Sequence, residues 1–543
     1  MEVQTMKYVT DYQKYWNYYG FLRDKMSAAS MKTATFITAE AVEFLRDKPE
    51  QETESNVAQI MQEITESIDA GKLFKTKADA FMAYNLLKQI QNFEWEDLLG
   101  SIDGKSCELV HVPAVLVEQF AEKIDPDTKT ILIAEGEKFT PNLKELVDRF
   151  PACEYTITTM APGYELILKR IFDGYKNVSI VLTSIYEYEF VHERFDLILC
   201  MPVFGSRLLV DREQHFICRE HEMVATENLL LHLNRGGRLA ILLPARITFA
   251  GGSVKELRDF IQEMYKVESI SQMPEGLLDW TNIRTYVLTI GTGHTDDVSL
   301  QKYVPDEYVT GSGNRIIRSL RVEDETFVML TELVEQGDWN LERFFAEQDE
   351  DWQRFLGVRR EMLGEVAVVF RGKNVARKNS TGSIGVVNIS NLREYDIDYD
   401  NLDHIEETER KVANYILEPG DILIPARGTT VKTAIFEKQD YPCIASSNLV
   451  VIRPRKDMLD STYLKMFFDS PLGGKLLTSA QQGTTVMNLS YKDMQNIEIP
   501  VPELGKQKKL AEEYNSELKL YLETVHKAET RWNSVLRELQ AKL

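Results

Sequence analysis

The sequence predicts an α/β protein with a helical N-terminal domain, a mostly parallel sheet covered by helices, an α+β C-terminal domain and a long final helix. Three patterns indicate this: apolar residues three and four apart near the N-terminus, apolar runs alternating with helical segments in the middle, and short strands broken by glycine and asparagine beyond them. The expected boundaries are 1–100, 101–355, 356–503 and 504–543. A chain of 543 residues exceeds one core, since domains hold about 100 to 200 residues.

The first domain is predicted to be helical. The segments "SNVAQIMQEITESIDAG" (55–71) and "KADAFMAYNLLKQIQNF" (77–93) carry apolar residues at three- and four-residue spacing, without a long β-branched run. We expect this domain to pack as a helical unit.

The middle of the chain predicts βαβ units. Near-continuous apolar strands separated by helical segments are typical of a parallel sheet covered on both faces. The predicted strands are "TILIAEG" (130–136), "CEYTITTM" (153–160), "NVSIVLTS" (177–184), "FDLILC" (195–200), "GGRLAILLP" (236–244) and "RTYVLTIGT" (284–292). Residues 300–355 are predicted to be a mixed, acidic connector.

The last third is predicted to be strand-rich up to about residue 460 and to end in a long helix from about Lys506. One stripe of this helix suits packing on another helix, or equally on the protein's own body. The stripe comprises Leu510, Tyr514, Leu518, Tyr521 and Val525, and later Trp532 and Leu536.

Charge is distributed unevenly along the chain. The net charge is −22, which by itself argues against nucleic-acid binding. Residues 361–543 carry 24 Lys and Arg against 26 Asp and Glu, whereas residues 1–360 carry 39 against 59. The excess acid therefore lies in the first two-thirds, and a DNA contact is predicted in the last third.

The remaining composition predicts a soluble cytoplasmic protein without a bound metal. The five cysteines lie far apart and form no C-x-x-C pair, so we expect reduced and mostly buried thiols. No apolar run reaches the roughly 18 residues of a membrane helix, and no signal-peptide layout is present.

Residues 231–292 carry a specific series of motifs. They contain the strand entry "RGGR", a strand that ends in Pro244, an arginine-containing helix, the loop "MPEGL" (273–277) and a Thr before the next strand. In this order and spacing the series resembles the methyltransferase subunit of type I restriction-modification enzymes and related adenine-N6 DNA methylases. The resemblance implies a Rossmann-like methyltransferase domain for residues 101–355.

Residues 361–543 are similar to the specificity subunit of the same systems. The similarity is carried by "GDILIPARGTTVKTAIF" (420–436), "IASSNLVVIRP" (444–454) and the stretch 464–514. It implies a target-recognition domain over 356–503 that reads bases, and a trailing helix that packs on a second helix or a partner subunit.

Methyl transfer in that family needs a Gly-rich turn after the first strand for S-adenosylmethionine and an acid at the end of the second strand for the ribose. This sequence has Ala134-Glu135-Gly136-Glu137 at the turn, with Glu135 and Gly136 as degenerate cofactor residues. It has Met160-Ala161-Pro162 after the second strand and Thr183-Ser184 after the third, where an Asp usually meets the adenine ring. The cofactor motifs are therefore altered at each of these positions.

The catalytic loop differs as well. The family reads Asn-Pro-Pro-Phe, and this chain reads Met201-Pro202-Val203-Phe204. The Asn carbonyl accepts a hydrogen bond from the amino group of a flipped adenine, whereas a thioether accepts only weakly. Pro202 and Phe204 keep the expected loop shape and ring, but the polar acceptor is lost.

DNA contact is predicted at basic and amide-rich loops of the recognition domain. Each basic residue alone suits a solvated surface charge, but together in this frame they indicate a DNA surface. The predicted residues are Arg371, Lys373, Arg377, Lys378, Arg427, Thr429, Thr430, Lys432, Gln482 and Thr484.

Two hypotheses follow. In the first, the chain is a catalytically inactive pseudo-methyltransferase that binds double-stranded DNA, without a cofactor, as the recognition subunit of a restriction-like or phage-defence complex. Its final helix would form a homodimer or bind nuclease, ATPase or methylase subunits. In the second, it is an active adenine-N6 DNA methyltransferase that uses S-adenosylmethionine, with Glu135, Pro202 and Phe204 still serving. A third possibility is that the recognition half binds protein.

Overall fold

The computed structural model divides the chain into two compact units, Met1–Trp339 and Asn340–Leu543. The described residues are 2–90, 93–101, 110–140, 142–208, 216–278, 281, 283–311, 314–348, 358–375, 382–393, 395–427, 432–479, 481–482, 488–489 and 491–541.

The N-terminal part of the first unit is helical, as predicted. Ser27, Thr53 and Thr76 cap three of its helices, each accepting a hydrogen bond from a backbone N–H three residues later. Tyrosine, isoleucine and leucine side chains at the helix contacts form a separate apolar core. The helices are α1 (Glu2–Arg23), α2 (Ala28–Leu45), α3 (Glu54–Ser67), α4 (Lys77–Lys88) and α5 (Trp95–Ser101), with a 3-10 turn at Pro49–Gln51.

The nine described strands of the first unit form one sheet, in the order β3-β2-β1-β4-β5-β7-β6-β8-β9. The five strands β3, β2, β1, β4 and β5 run parallel to one another. Strand β7 lies between β5 and β6 and is antiparallel to both. All six predicted strands are present, which confirms the α/β class. The strands are β1 (Thr130–Ala134), β2 (Glu154–Thr159), β3 (Val178–Leu182), β4 (Phe195–Cys200), β5 (Leu233–Pro244), β6 (Lys266–Gln272), β7 (Thr285–Gly291), β8 (Asp297–Gly311) and β9 (Asn314–Met329).

The prediction of a mixed connector from residue 300 was wrong for its first part. Strands β8 and β9 pair antiparallel along almost their whole length, and β8 also joins the sheet beside β6. Their charged residues hid these strands, because a ribbon exposed on one face needs no continuous apolar run.

Helices cover the sheet of the first unit. Helix α8 lies so close to α2 that a Cβ at Gly163 would come within 2.6 Å of the Thr33 backbone nitrogen. Only glycine allows this approach. The helices are α6 (Ala114–Ala121), α7 (Leu143–Arg149), α8 (Pro162–Ile171), α9 (His221–Leu230), α10 (Arg246–Phe249), α11 (Ser253–Met264) and α12 (Leu330–Gln336).

The second unit contains small, mostly antiparallel sheets. Its two larger sheets have the orders β11-β17-β14-β15 and β13-β12-β16, and the shorter pairs are β10-β20 and β18-β19. The strands are β10 (Arg360–Met362), β11 (Ala367–Arg371), β12 (Ile384–Val387), β13 (Asp403–Ile405), β14 (Ile422–Pro425), β15 (Ala434–Ile435), β16 (Cys443–Ala445), β17 (Leu449–Pro454), β18 (Gln481–Gln482), β19 (Asn488–Leu489) and β20 (Glu498–Pro500). The helices are α13 (Leu341–Gln348), α14 (Leu363–Val366), α15 (Glu409–Val412), α16 (Ser461–Asp469), α17 (Pro471–Ser479), α18 (Tyr491–Gln495) and α19 (Leu504–Gln540).

The predicted final helix, α19, packs on its own unit through its first half, as far as Tyr521, whose ring meets that of Tyr395 edge to face with 5.9 Å between the centroids. Gln507 is fully buried, donates to the Met458 and Pro502 carbonyls and accepts from the Asp460 N–H. Tyr514 donates to Asp469 of α16 and accepts from Lys465. Beyond these contacts most of the helix is exposed.

Two smaller predictions can be compared with the structure. The four described cysteines, Cys153, Cys200, Cys218 and Cys443, are free and buried, as expected, while Cys107 lies outside the described residues. Among the helices of the described ranges, none combines the length and the apolar character that crossing a membrane requires.

Candidate functional site

The sheet of the first unit has its switch point between β1 and β4, where Ala134 and Cys200 pair at the carboxyl ends. Ligands of open α/β sheets bind in the crevice outside this point. The turn after β1 and the loop after β4 flank the crevice, so their side chains decide what it can hold.

The turn after β1 is filled with its own side chains. Glu135 has a left-handed backbone with φ of 53°, and residues Gly136–Phe139 form a 3-10 turn. The charged side chains of Glu135, Glu137 and Lys138 are all buried. Gly136 packs so closely on β2 that a Cβ would come within 2.1 Å of Ile157 Cγ2. The one glycine of the turn therefore serves packing against the neighbouring strand.

A buried polar network joins this turn to the loop after β4. Lys138 Nζ lies 2.6 Å from Glu135 Oε2 and donates to the Met201 carbonyl at 2.9 Å. Tyr186 donates to the same Glu135 oxygen at 3.1 Å and accepts from the Val203 N–H at 3.0 Å. We call Glu135, Lys138 and Tyr186 the switch-point network. It bridges the two loops that flank the crevice.

Burial sets the protonation states around this network. Burial, and then the Glu135 carboxylate, raises the pKa of Tyr186 far above its usual value, so the phenol keeps its proton and donates it. The same two causes raise the pKa of Glu137 to about 7. Its Oε2 atom is buried and has no hydrogen-bond partner among the described residues.

The loop after β4 contributes to the apolar core. Met201 is 2% exposed and belongs to the same buried cluster as Met273, Leu277 and Leu278 of the loop after β6. Phe204 packs against this cluster and Pro202 is buried, while Val203 is exposed. Met201 therefore packs as a core side chain.

The ends of β2 and β3 show no ligand-binding acid at the expected positions. Met160 is about half exposed, and Pro162 begins α8. Thr183 donates to the Phe190 carbonyl and Ser184 accepts from the Tyr186 N–H, so both side chains stabilise the turn after β3.

Helix α9 supplies polar contacts that sequence reasoning missed. Glu222 accepts from the Gly205 N–H and Glu227 from the Ile217 N–H, and the pKa of both carboxyls is raised by burial. His221 Nδ1 lies 2.9 Å from Ser206 Oγ. The helix therefore holds both ends of the segment 205–217. The sequence gave no sign that Glu222 and Glu227 are buried, because they lie among polar residues typical of an exposed helix.

Several loops of the second unit leave from one edge. Arg371, at the end of β11, pairs with Val450 of β17, and Pro425, at the end of β14, pairs with Leu449. Leu489 of β19 donates to the Ala426 carbonyl. We call this the recognition edge: Gly372 and Lys373, Ala426 and Arg427, the turn 446–449, and Leu489.

Of the ten predicted DNA-contact residues, Arg371, Lys373 and Arg427 lie at this edge. Arg427 is exposed and Lys432 half-buried, without an ion pair to any described residue. Arg371 donates through Nε to the Ser447 carbonyl at 2.7 Å, and Lys373 lies over the Tyr415 ring. Gln482 lies in β18. Arg377, Lys378, Thr429, Thr430 and Thr484 fall outside the described residues.

A protein-family comparison matches most of the second unit. Residues 360–513 match the family "Type I restriction modification DNA specificity domain". This confirms the specificity-subunit resemblance predicted for the last third. The chain is also 23% identical over 171 residues to the type I restriction enzyme MjaX specificity subunit of Methanocaldococcus jannaschii, covering 31% of this chain and 39% of that protein. It thus spans about two-fifths of that relative.

Two solved structures are similar to larger parts of the chain. The type I restriction-modification methyltransferase subunit of Streptococcus thermophilus aligns with 62% of this chain and 98% of its own, at 14% identity and a TM-score of 0.44. The type IIG restriction endonuclease BpuSI aligns with 91% of this chain and 73% of its own, at 11% identity and a TM-score of 0.45. The chain thus combines an α/β first unit with a second unit that contains the match to the specificity domain.

Proposed function

We propose that this chain is the DNA-recognition subunit of a type I restriction-modification or phage-defence complex, and that its methyltransferase-like unit transfers no methyl group. The specificity domain supports the first part of the proposal. The switch-point network is the main observation that supports the second part, the absence of methyl transfer.

S-adenosylmethionine does not fit the residues at the switch point. The cofactor needs a turn that its backbone can approach, and a carboxylate for its ribose at the end of β2. Here Glu135, Lys138 and Tyr186 bond to one another and to the loop after β4. Admitting the cofactor would separate a buried ion pair, which costs several kcal/mol per uncompensated ion.

The base side of the site is equally unsuited to adenine. A flipped adenine needs a polar acceptor for its amino group, and the side chain at that position is the buried Met201. Phe204 packs against the apolar core. The two halves of the site lack the groups that bind cofactor and base, and this supports the proposed loss of methyl transfer.

Duplex DNA is the proposed ligand of the recognition edge. Arg427 and Lys432 offer charge that no described side chain neutralises, and Arg371 and Lys373 lie at the same edge. Association driven by phosphate contacts weakens linearly in log salt, with a slope of about 0.9 per phosphate. A titration of labelled random-sequence and selected duplexes at 50 to 200 mM salt should show a steep loss of affinity. Salt-independent binding, or binding to protein alone, would contradict the proposal.

The exposed part of α19 is proposed to bind another helix, first that of a second copy of this chain. Apolar residues recur along this part of the helix at alternating four- and three-residue steps, which is the spacing of a coiled-coil seam. The series is Leu518, Leu522, Val525, Trp532, Leu536 and Leu539, and the polar Glu529 occupies the one remaining position between Val525 and Trp532. Leu522, Trp532, Leu536 and Leu539 are more than a third exposed. A twofold dimer would give the single recognition domain a second half-site. Nuclease, ATPase or methylase subunits are the other proposed partners.

A further inference from the structure

The recognition edge contains a turn whose backbone carbonyls are all hydrogen-bonded within the protein. Residues Ser446–Leu449 connect β16 to β17, and the Leu449 N–H closes the turn on the Ser446 carbonyl at 2.9 Å. The Ser447 carbonyl accepts from Arg371 Nε, and the Asn448 carbonyl accepts from the Ala426 N–H at 2.7 Å. Each of these three carbonyls is therefore committed within the protein.

The neighbouring strands tighten this arrangement. The Ser446 N–H donates to the Val387 carbonyl, and the Gly372 N–H donates to the Leu449 carbonyl. A Cβ at Gly372 would come within 2.2 Å of the Ser446 carbonyl oxygen, so β11 ends directly against the turn. A turn fixed in this way presents its side chains at a defined position.

Asn448 is the exposed side chain of this turn. Among the hydrogen bonds, ion pairs and ring contacts of the described residues, none involves its amide. The residue also does not adopt a positive φ; among the described non-glycine residues that conformation occurs at Asp69, Glu135 and Glu189. Asparagine is therefore not required here for backbone tolerance, which is its usual role in turns.

We propose that Asn448 reads one adenine base in the major groove of duplex DNA. This inference rests on the proposed function of the recognition edge. An Asn amide offers a donor and an acceptor side by side, which match N7 and the N6 amino group of adenine. The tight turn fixes the backbone of Asn448 before binding, so contact with the base restricts only the rotamers of its side chain.

Charge around the turn suits this role. Arg427 follows the residue that bonds the Asn448 carbonyl, and its guanidinium is exposed without an ion pair to a described side chain. Arg427 is thus placed to contact phosphate beside the base that Asn448 reads. The two residues should affect binding differently, because phosphate contacts position the protein and base contacts specify the sequence.

The test begins with the full chain and a library of random duplexes, from which the preferred sequence is selected. For Asn448→Ala we expect affinity for that sequence to fall about 5- to 150-fold, with preference lost at one A·T pair and the salt slope unchanged. Asn448→Gln should retain part of the preference. Gln439→Ala changes an amide in the loop between β15 and β16, away from the recognition edge, and should leave both affinity and preference unchanged.

Three outcomes separate this inference from the proposed function. If the wild-type chain binds no duplex, the proposed function fails, and the inference fails with it. If the wild type selects a sequence and Asn448→Ala selects it with equal preference, only the inference is overturned. Loss of preference at a G·C pair would overturn the assignment to adenine. A thermal melt of each variant checks that it remains folded.

Discussion

Replacing Lys138 with methionine removes the cation of the switch-point network and leaves Glu135 buried. The Lys138 side chain is 9% exposed and that of Glu135 is 3% exposed, with 2.6 Å between Nζ and Oε2. Breaking a buried ion pair from one side costs about 3 to 5 kcal/mol. Lys138 also donates to the Met201 carbonyl, and loss of this bond adds to the cost. We expect Lys138→Met to lower the unfolding free energy of the first unit by about this amount.

The assay is urea unfolding of the full chain, followed by circular dichroism. The unfolding free energies of wild type and variant are compared with one shared m-value, so that a shift of the urea midpoint reports the change in stability. Lys169→Met provides the matched control, because Lys169 forms a 2.7 Å ion pair with Glu165 on an exposed helix face. Such pairs contribute about 0.3 to 0.5 kcal/mol, so this variant should change stability little.

A double variant tests the coupling directly. Adding Glu135→Gln to Lys138→Met removes the uncompensated charge, so the double variant should be more stable than Lys138→Met alone. The reasoning is refuted if Lys138→Met costs no more than Lys169→Met, or if the two substitutions add without coupling.

Four further predictions follow from the same structure. Burial raises the pKa of Glu137 from 4.5 to about 7, so its carboxyl holds an extra proton in the folded state and its contribution to stability falls as pH rises from 4.5 to 7, by at most about 1.4 kcal/mol per pH unit. Glu137→Gln should remove this contribution and make the fall in stability between pH 5 and 7 smaller in urea unfolding. Gly372→Ala should lower the melting temperature of the second unit and weaken DNA binding in titrations, because its Cβ would meet the Ser446 carbonyl oxygen. The control Gly474→Ala should change neither quantity, because there is open space around Gly474 in α17. Arg427→Ala should weaken binding to all duplexes alike and reduce the salt slope by about 1; a change in sequence preference would contradict its assignment to phosphate. Trp532→Glu with Leu536→Glu should convert a dimer to a monomer in light scattering, and an unchanged mass would exclude this part of α19 from the interface.

Long buried strands were the most predictable part of the fold. The segment 195–200 was predicted with the bounds that β4 has, because a strand covered on both faces is apolar at nearly every position. Helix α19 was predicted from Lys506 and begins at Leu504. The ribbon of β8 and β9 was missed, since its polar face breaks the apolar run.

The site could be predicted only in part. The altered motifs at Glu135 and Met201 were visible in the sequence, because each departs from a family pattern. The switch-point network was not visible, since Tyr186 lies 51 residues from Glu135 and Lys138 resembles an ordinary surface lysine. The carbonyl contacts that fix the turn at Asn448 come from three separate strands or strand ends, and no local pattern encodes them.

The most direct test of the central claim incubates the full chain with tritiated S-adenosylmethionine and the duplex that it selects. An intact adenine-N6 methyltransferase serves as the positive control. We predict that the chain binds the duplex with strong salt dependence and transfers no label to it, and that calorimetry detects no S-adenosylmethionine binding at micromolar concentration. Transfer of label to the duplex, together with micromolar cofactor binding, would contradict the account.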